Sequence, residues 1–302
     1  MPSYQVIKNA ALGKIPLIRV DESLLYGFLM DLKQKFKAEK QLIKLPEKKK
    51  IIFVGDTHGD YDASKKIIEK YLDSSIVVFT GDYVDRAFED YGDIRNVLYL
   101  FYIKLTKKNL ILLRGNHEDP RVNDVFGFRT NVSQVWSQKT WALFNDVFSY
   151  MPLAAVTSKI IALHGGLPKI KSLKEIESVP KGKITGDNKI LDQVLWNESL
   201  NEPKKIIQEW NRGVENAVLY GKLFFVEVMA DINKQTLIRG HDYTSKGLSF
   251  NGRCITLFTS STYADYPKES VNCEEPIKGR IIAVKAPGKD IKIEKLRSQR
   301  KS

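Results

Sequence analysis

Cysteine is nearly absent: Cys254 and Cys273 are the only two in 302 residues. They are too few for a disulfide framework and lack the close spacing of metal-binding cysteines, so reduced structural thiols are expected. No apolar run approaches the ~18 residues of a membrane-spanning helix. Met1 to Ala10 lacks the basic flank and apolar stretch of a secretory leader. A cytoplasmic location is expected, with no membrane partner. Internal repeats and low-complexity segments are also missing. Acidic residues are in deficit, 36 against 48 Lys and Arg, for a net charge of +12. That excess favours acidic or phosphorylated partners and, in principle, nucleic acid. The lysines, however, are scattered or sit in short runs such as Lys48-Lys49-Lys50. There is no recognisable nucleic-acid motif or basic aromatic strip, so nucleic acid is not expected as a partner.

What is present is an ordinary globular composition, 43% hydrophobic and 28% charged. Asp21 or Ser23 can cap a helix in which Leu25, Phe28, Leu29, Leu32 and Phe36 recur at three- and four-residue steps. Residues 1–49 therefore read as a helical segment packing on the core. Residues 50–285 read as the principal domain and 286–302 as a basic tail, poorly ordered at its end. Within 51–118 three apolar runs of strand character, ending in Val54-Gly55, Thr80-Gly81 and Leu112-Leu113-Arg114-Gly115, deliver Asp, His or Asn. Asp62–Leu72 and Tyr91–Thr106 between them have helical spacing. This βαβαβ pattern brings the polar residues together at the carboxyl edge of one sheet. Val132–Tyr150 is predicted helical and Lys169–Asn188 mostly loop. Further strands are predicted at Lys159–Leu163, Thr236–Ile238, Cys254–Phe258 and Gly279–Lys285. Helices look sparse there, which suggests a second sheet packed on the first.

Histidine is scarcer still: His58, His117, His164 and His241 are all there are. Every one stands at a strand-to-turn junction beside Gly or Asn. One such histidine is usually a packed core or surface residue; four in the same setting point to metal binding or catalysis. Imidazole, carboxylate and amide oxygen together suit first-row divalent ions such as Mn, Fe, Zn or Co. Calcium would want mostly oxygen donors, and a structural zinc site would want cysteines.

Gly55-Asp56-Thr57-His58-Gly59, Gly81-Asp82-Tyr83-Val84-Asp85-Arg86 and Gly115-Asn116-His117-Glu118 resemble the signature of the PPP family of metal-dependent protein serine/threonine phosphatases. His164-Gly165-Gly166 and Arg239-Gly240-His241 follow in the family's order. The resemblance spans roughly Lys50 to Lys285. It implies an α/β fold, a four-layer αββα sandwich of two mixed sheets flanked by helices. It implies two divalent metal ions, with manganese in vitro and iron or zinc as native options. Asp56 and His58 would hold one, Asp82 would bridge, and Asn116, His164 and His241 would complete the other. A water or hydroxide bridging the metals would attack phosphorus, and His117 would protonate the leaving alkoxide as general acid. Asp85 would orient His117 and favour its protonated form, and Glu118 would support the site.

The resemblance also implies that Arg86 and Arg212, the latter in Glu209-Trp210-Asn211-Arg212-Gly213, grip phosphate oxygens. Arg114 and Arg239 read as structural. The chain departs from the family twice. Ala87 stands where Gly is usual, and Thr259-Ser260-Ser261-Thr262-Tyr263 lacks the family's Pro and Asn, although Tyr263 could still line the cleft. The implied substrates are phosphoserine and phosphothreonine proteins; regulatory subunits are not indicated either way. Two alternatives stand beside this reading. One keeps the chemistry and takes nucleotide polyphosphates or phosphodiesters. The other is a non-catalytic basic module binding nucleic acid or acidic proteins.

Overall fold

Strand residues that alternate between two apolar faces must be covered on both sides, and that requirement sets the layering here. The computed structural model describes residues 4–209, 212–264 and 272–296. A five-stranded mixed sheet runs in the order Ile291–Lys295, Ile281–Lys285, Ile51–Val54, Ile76–Phe79, Leu110–Leu112, with the last three parallel. A seven-stranded mixed sheet runs Leu42–Lys44, Ala154–Val156, Ile160–Leu163, Thr236–Arg239, Cys254–Thr256, Gly247–Ser249, Glu275–Pro276. Ile51, Phe53, Val78, Ile111 and Ile281 of the first sheet meet Ala155, Ile160, Ala162, Ile238 and Ile255 of the second in one core.

The alternate residues face outward into two further cores. Ile52, Val54, Val77, Phe79 and Leu112 pack under the helices Glu22–Ala38, Tyr61–Tyr71, Gly92–Thr106 and Gln138–Phe148. Ile161, Leu163 and Leu237 pack under Lys189–Trp196 and Lys222–Asp231. The result is the expected αββα sandwich. No helix among the described residues is long and apolar enough to cross a membrane.

The amphipathic helix is Glu22–Ala38, and it buries all five expected apolar residues. The Asp21 side chain caps it, accepting from the backbone of Ser23 at 2.9 Å and Leu24 at 3.2 Å. Phe28 is fully buried, so Phe28→Ala would cost about 3–5 kcal/mol.

Several expectations are corrected. Val132–Tyr150 is not one helix: Phe128–Val135 ends at Trp136, and Ser137 caps a second helix, Gln138–Phe148, by accepting from Thr140 N. The loop 169–188 contains a short helix, Leu173–Glu177, closed by a Ser172/Glu175 capping box. Helices are not sparse in the second half, since the second sheet needs its own cover. The sheets also extend past 50–285: Leu42–Lys44 pairs with Ala154–Val156, and Ile291–Lys295 pairs with Ile281–Lys285. Most of the basic tail's end, residues 297–302, lies outside the described residues. A small third sheet of Glu198–Ser199, Leu219–Tyr220 and Ile206–Gln208 was not foreseen.

Candidate active site

Asp56, Asp82, Asn116, His164 and His241 follow the carboxyl ends of five different strands, three from one sheet and two from the other. The two layers thus deliver their polar residues to one rim. The backbone is bent hard to do so. Among the described residues ten non-glycine residues have positive φ, and six of them are His58, Asp82, Asp85, Arg86, Arg212 and His241. Backbone strain of this kind concentrates where a site must be held in one shape. Gly240 shows how tight the cradle is: a Cβ there would lie 2.0 Å from Asp56 Oδ1.

Protons on the imidazoles are fixed by what each ring faces. His58 Nδ1 lies 3.0 Å from Val84 O, and His164 Nδ1 lies 3.1 Å from Thr80 O. A carbonyl can only accept, so each Nδ1 carries the hydrogen and each Nε2 is a bare lone pair. His58 Nε2 points at Asp82 Oδ2, 3.5 Å away. His164 Nε2 faces Asn116 Oδ1 at 2.8 Å and Asp82 Oδ1 at 3.3 Å. Glu198 Oε1 lies 3.4 Å from His241 Nε2, and His241 Nδ1 lies 2.9 Å from Asn116 Oδ1 and 3.2 Å from His164 Nε2.

Acceptors therefore converge on one another with no hydrogen between them, an arrangement that a cation would relieve. Burial pushes Asp56 up to about 8 and Glu118 up to about 7. It also raises Asp82 well above the carboxylate range and lowers all four histidines. Carboxyls that resist ionisation and imidazoles that resist protonation want positive charge brought from outside. The residues fit divalent metal. Asp82 belongs to both tight donor groups, with His58 and His117 in one and with Asp56 and His164 in the other.

His117 Nδ1 lies 2.6 Å from Asp85 Oδ2, and its own N–H donates to Asp82 Oδ1 at 3.0 Å. Asp85 Oδ1 accepts from Phe128 N at 2.9 Å, which fixes the carboxylate. The expected orienting contact is present. Burial, with Arg86 and Arg212 nearby, lowers the pKa of His117, and burial raises that of Asp85 to about 7. The Arg86 guanidinium sits 4.9 Å above the Phe126 ring. Arg212 Nη2 pairs with Glu198 Oε1 at 2.5 Å; its motif neighbours Trp210 and Asn211 lie outside the described residues. The Tyr263 ring is 6.1 Å from that of His58.

Glu118 supports the centre by accepting from Asp82 N, Tyr83 N and Gly115 N at 2.8–2.9 Å. Arg114 is buried on Asp119 at 3.0 Å, and Arg239 is buried beside Ser199. Glu198 and Phe126 were missed by sequence reasoning. Glu198 follows Trp196-Asn197 with no glycine or periodicity to mark it, and Phe126 has only its place after Asn116-His117.

The model of the calcineurin-like phosphoesterase family matches residues 49–245. A serine/threonine-protein phosphatase PP1-delta of Caenorhabditis elegans is 29% identical over 224 residues, covering 70% of each chain. In structure, the chain resembles a protein serine/threonine phosphatase of Saccharomyces cerevisiae described as similar to human phosphatase PP5. The TM-score is 0.80, with 98% of both chains covered at 19% identity. A cold-active protein-tyrosine phosphatase of a Shewanella psychrophile shares the fold more loosely, with a TM-score of 0.53 at 15% identity, covering 83% of this chain and 78% of that one. With the matched family model spanning more than half its length and the site lying largely inside the matched region, this chain belongs to the calcineurin-like phosphoesterases.

Proposed function

We propose that this protein removes phosphate from phosphoserine and phosphothreonine side chains of proteins. The observation that carries the chemistry is the convergence of the His58 and His164 lone pairs on the shared carboxylate of Asp82, with Asn116 Oδ1 against His164 Nε2. The likeness to PP1-delta supports the choice of substrate. Two divalent ions held by Asp56, His58, Asp82, Asn116, His164 and His241, manganese in vitro and iron or zinc natively, would supply the Lewis acidity that activates water and polarises the phosphate.

The chain's own residues do the rest. Arg86 and Arg212 offer two planar guanidiniums to a terminal phosphate dianion, which suits a monoester better than a diester. Phe126, stacked on Arg86, limits that guanidinium's swing. His117, held against Asp85 Oδ2 through Nδ1 at 2.6 Å, presents Nε2 as the proton donor to the departing alkoxide. A reducing, cytoplasmic setting fits the buried thiols of Cys254 and Cys273.

The test is phosphate release by metal-stripped protein, with and without manganese, from a phosphothreonine peptide, a dinucleoside polyphosphate and a phosphodiester. Manganese-dependent release from the peptide well above the others is the expected result. Preference for the nucleotide or diester would overturn the substrate assignment. No hydrolysis under several divalent metals would overturn the enzyme.

A further inference from the structure

Lys246 is a fully buried lysine. An ammonium away from water is tolerated only when its hydrogens find acceptors. Lys246 Nζ donates to the carbonyls of Tyr263 at 2.9 Å, Ala264 at 3.1 Å and Gly279 at 3.4 Å. The first two belong to the short turn Ser261–Tyr263 and the residue that ends it, a segment with no buried residue of its own. Polar bonds hold it elsewhere too. Ser261 N donates to Asp60 Oδ2 at 2.7 Å, and Gly279 N donates to Ala264 O at 2.6 Å. Asp60 Oδ2 is itself pinned by Arg280 Nη1 at 3.2 Å.

The turn carries Tyr263, whose ring packs 5.1 Å from Phe258 and 5.0 Å from Tyr243, on the side of the site where His58 stands. Little apolar burial fixes that ring's height over the rim; the backbone bonds do. We propose that Lys246 is a positioning residue. It fixes Tyr263 as one wall of the substrate cleft, so that an extended phosphopeptide meets a preformed surface. Lys246 Nζ acts on backbone carbonyls of the turn and of Gly279, so its effect falls on peptide binding and not on turnover.

This inference rests on the phosphoprotein reading, and the experiment separates the two. The manganese-loaded wild type, Lys246→Met, Tyr263→Ala and the double variant are compared on a phosphothreonine peptide, with metal content measured for each. Lys246→Met is expected to raise KM about tenfold with kcat within about twofold and with metal content unchanged. In the Tyr263→Ala background the same substitution is expected to leave KM where it is. A KM penalty that persists without Tyr263, a fall in kcat instead, or no effect at all would overturn the positioning role. Should Lys246→Met fail to fold, Lys246→Gln, which keeps a shorter donor, replaces it in the cycle with the same expected pattern. A wild type inactive on the peptide would overturn the phosphoprotein reading instead.

Discussion

The Nδ1 of His164 donates to the Thr80 carbonyl at 3.1 Å, and this one bond decides what the other ring nitrogen can do. It leaves Nε2 as a lone pair facing the Asn116 and Asp82 oxygens. A fold that closes lone pair on lone pair is unfavourable alone and favourable around a cation. Chelation should therefore lower the melting temperature by about 5 °C or more, restored by added manganese or zinc. Calorimetry before and after metal stripping checks this, and an unchanged transition would argue against a metal-organised rim.

His117→Asn keeps a polar side chain of similar reach but removes the proton carried beside Asp85. Turnover on a phosphothreonine peptide should fall about 10²–10⁴-fold, while metal analysis finds the ions still bound. Near-normal kcat would remove His117 from the proton-donor role.

Glu198 Oε1 stands between Arg212 Nη2, at 2.5 Å, and the outer nitrogen of His241, at 3.4 Å. Glu198→Gln, which removes the negative charge beside that ring, should weaken metal binding about tenfold or more. A metal titration followed by activity reads this directly. Unaltered affinity would mean that His241 is oriented by other contacts.

Asp93 is buried at the start of Gly92–Thr106, accepting from Ile94 N at 2.8 Å and from Asn131 Nδ2 at 3.0–3.1 Å. Burial raises its pKa to about 6. A carboxyl that holds its proton more tightly folded than unfolded stabilises fully below its unfolded pKa, near 4. That contribution is lost as the pH climbs through about 6. Asp93→Asn should thus gain on the wild type by up to about 2 kcal/mol between pH 4 and pH 7. Denaturant titrations at both pH values would show a constant difference if the burial of Asp93 were of no consequence.

The residues that the chain delivers straight from strand ends were readable in the sequence, because strand, Gly and ligand are contiguous. Asp56, Asp82, Asn116 and His241 have this form, and His164 follows its strand directly with Gly165 and Gly166 behind it. Glu198, Lys246 and Phe126 were not, since each acts on a group far along the chain and has no local pattern of its own. The break between Phe128–Val135 and Gln138–Phe148 was hidden by continuous apolar spacing across Trp136 and Ser137.

Ile281–Lys285 lies between Ile51–Val54 and Ile291–Lys295 in the five-stranded sheet. Asp56 O also accepts from the backbone of Thr259 and Ser260. A chain growing from its amino end would thus carry the Asp56, Asp82 and Asn116 segments long before their neighbouring strand is made. The sheet can close only when that late strand slides in beside one synthesised more than two hundred residues earlier. Such distant pairing is slow to form. Closure of the five-stranded sheet therefore waits until Ile281–Lys285 has been made, and a ribosome stalled before residue 281 would hold an open sheet edge in place of an assembled hydrolase.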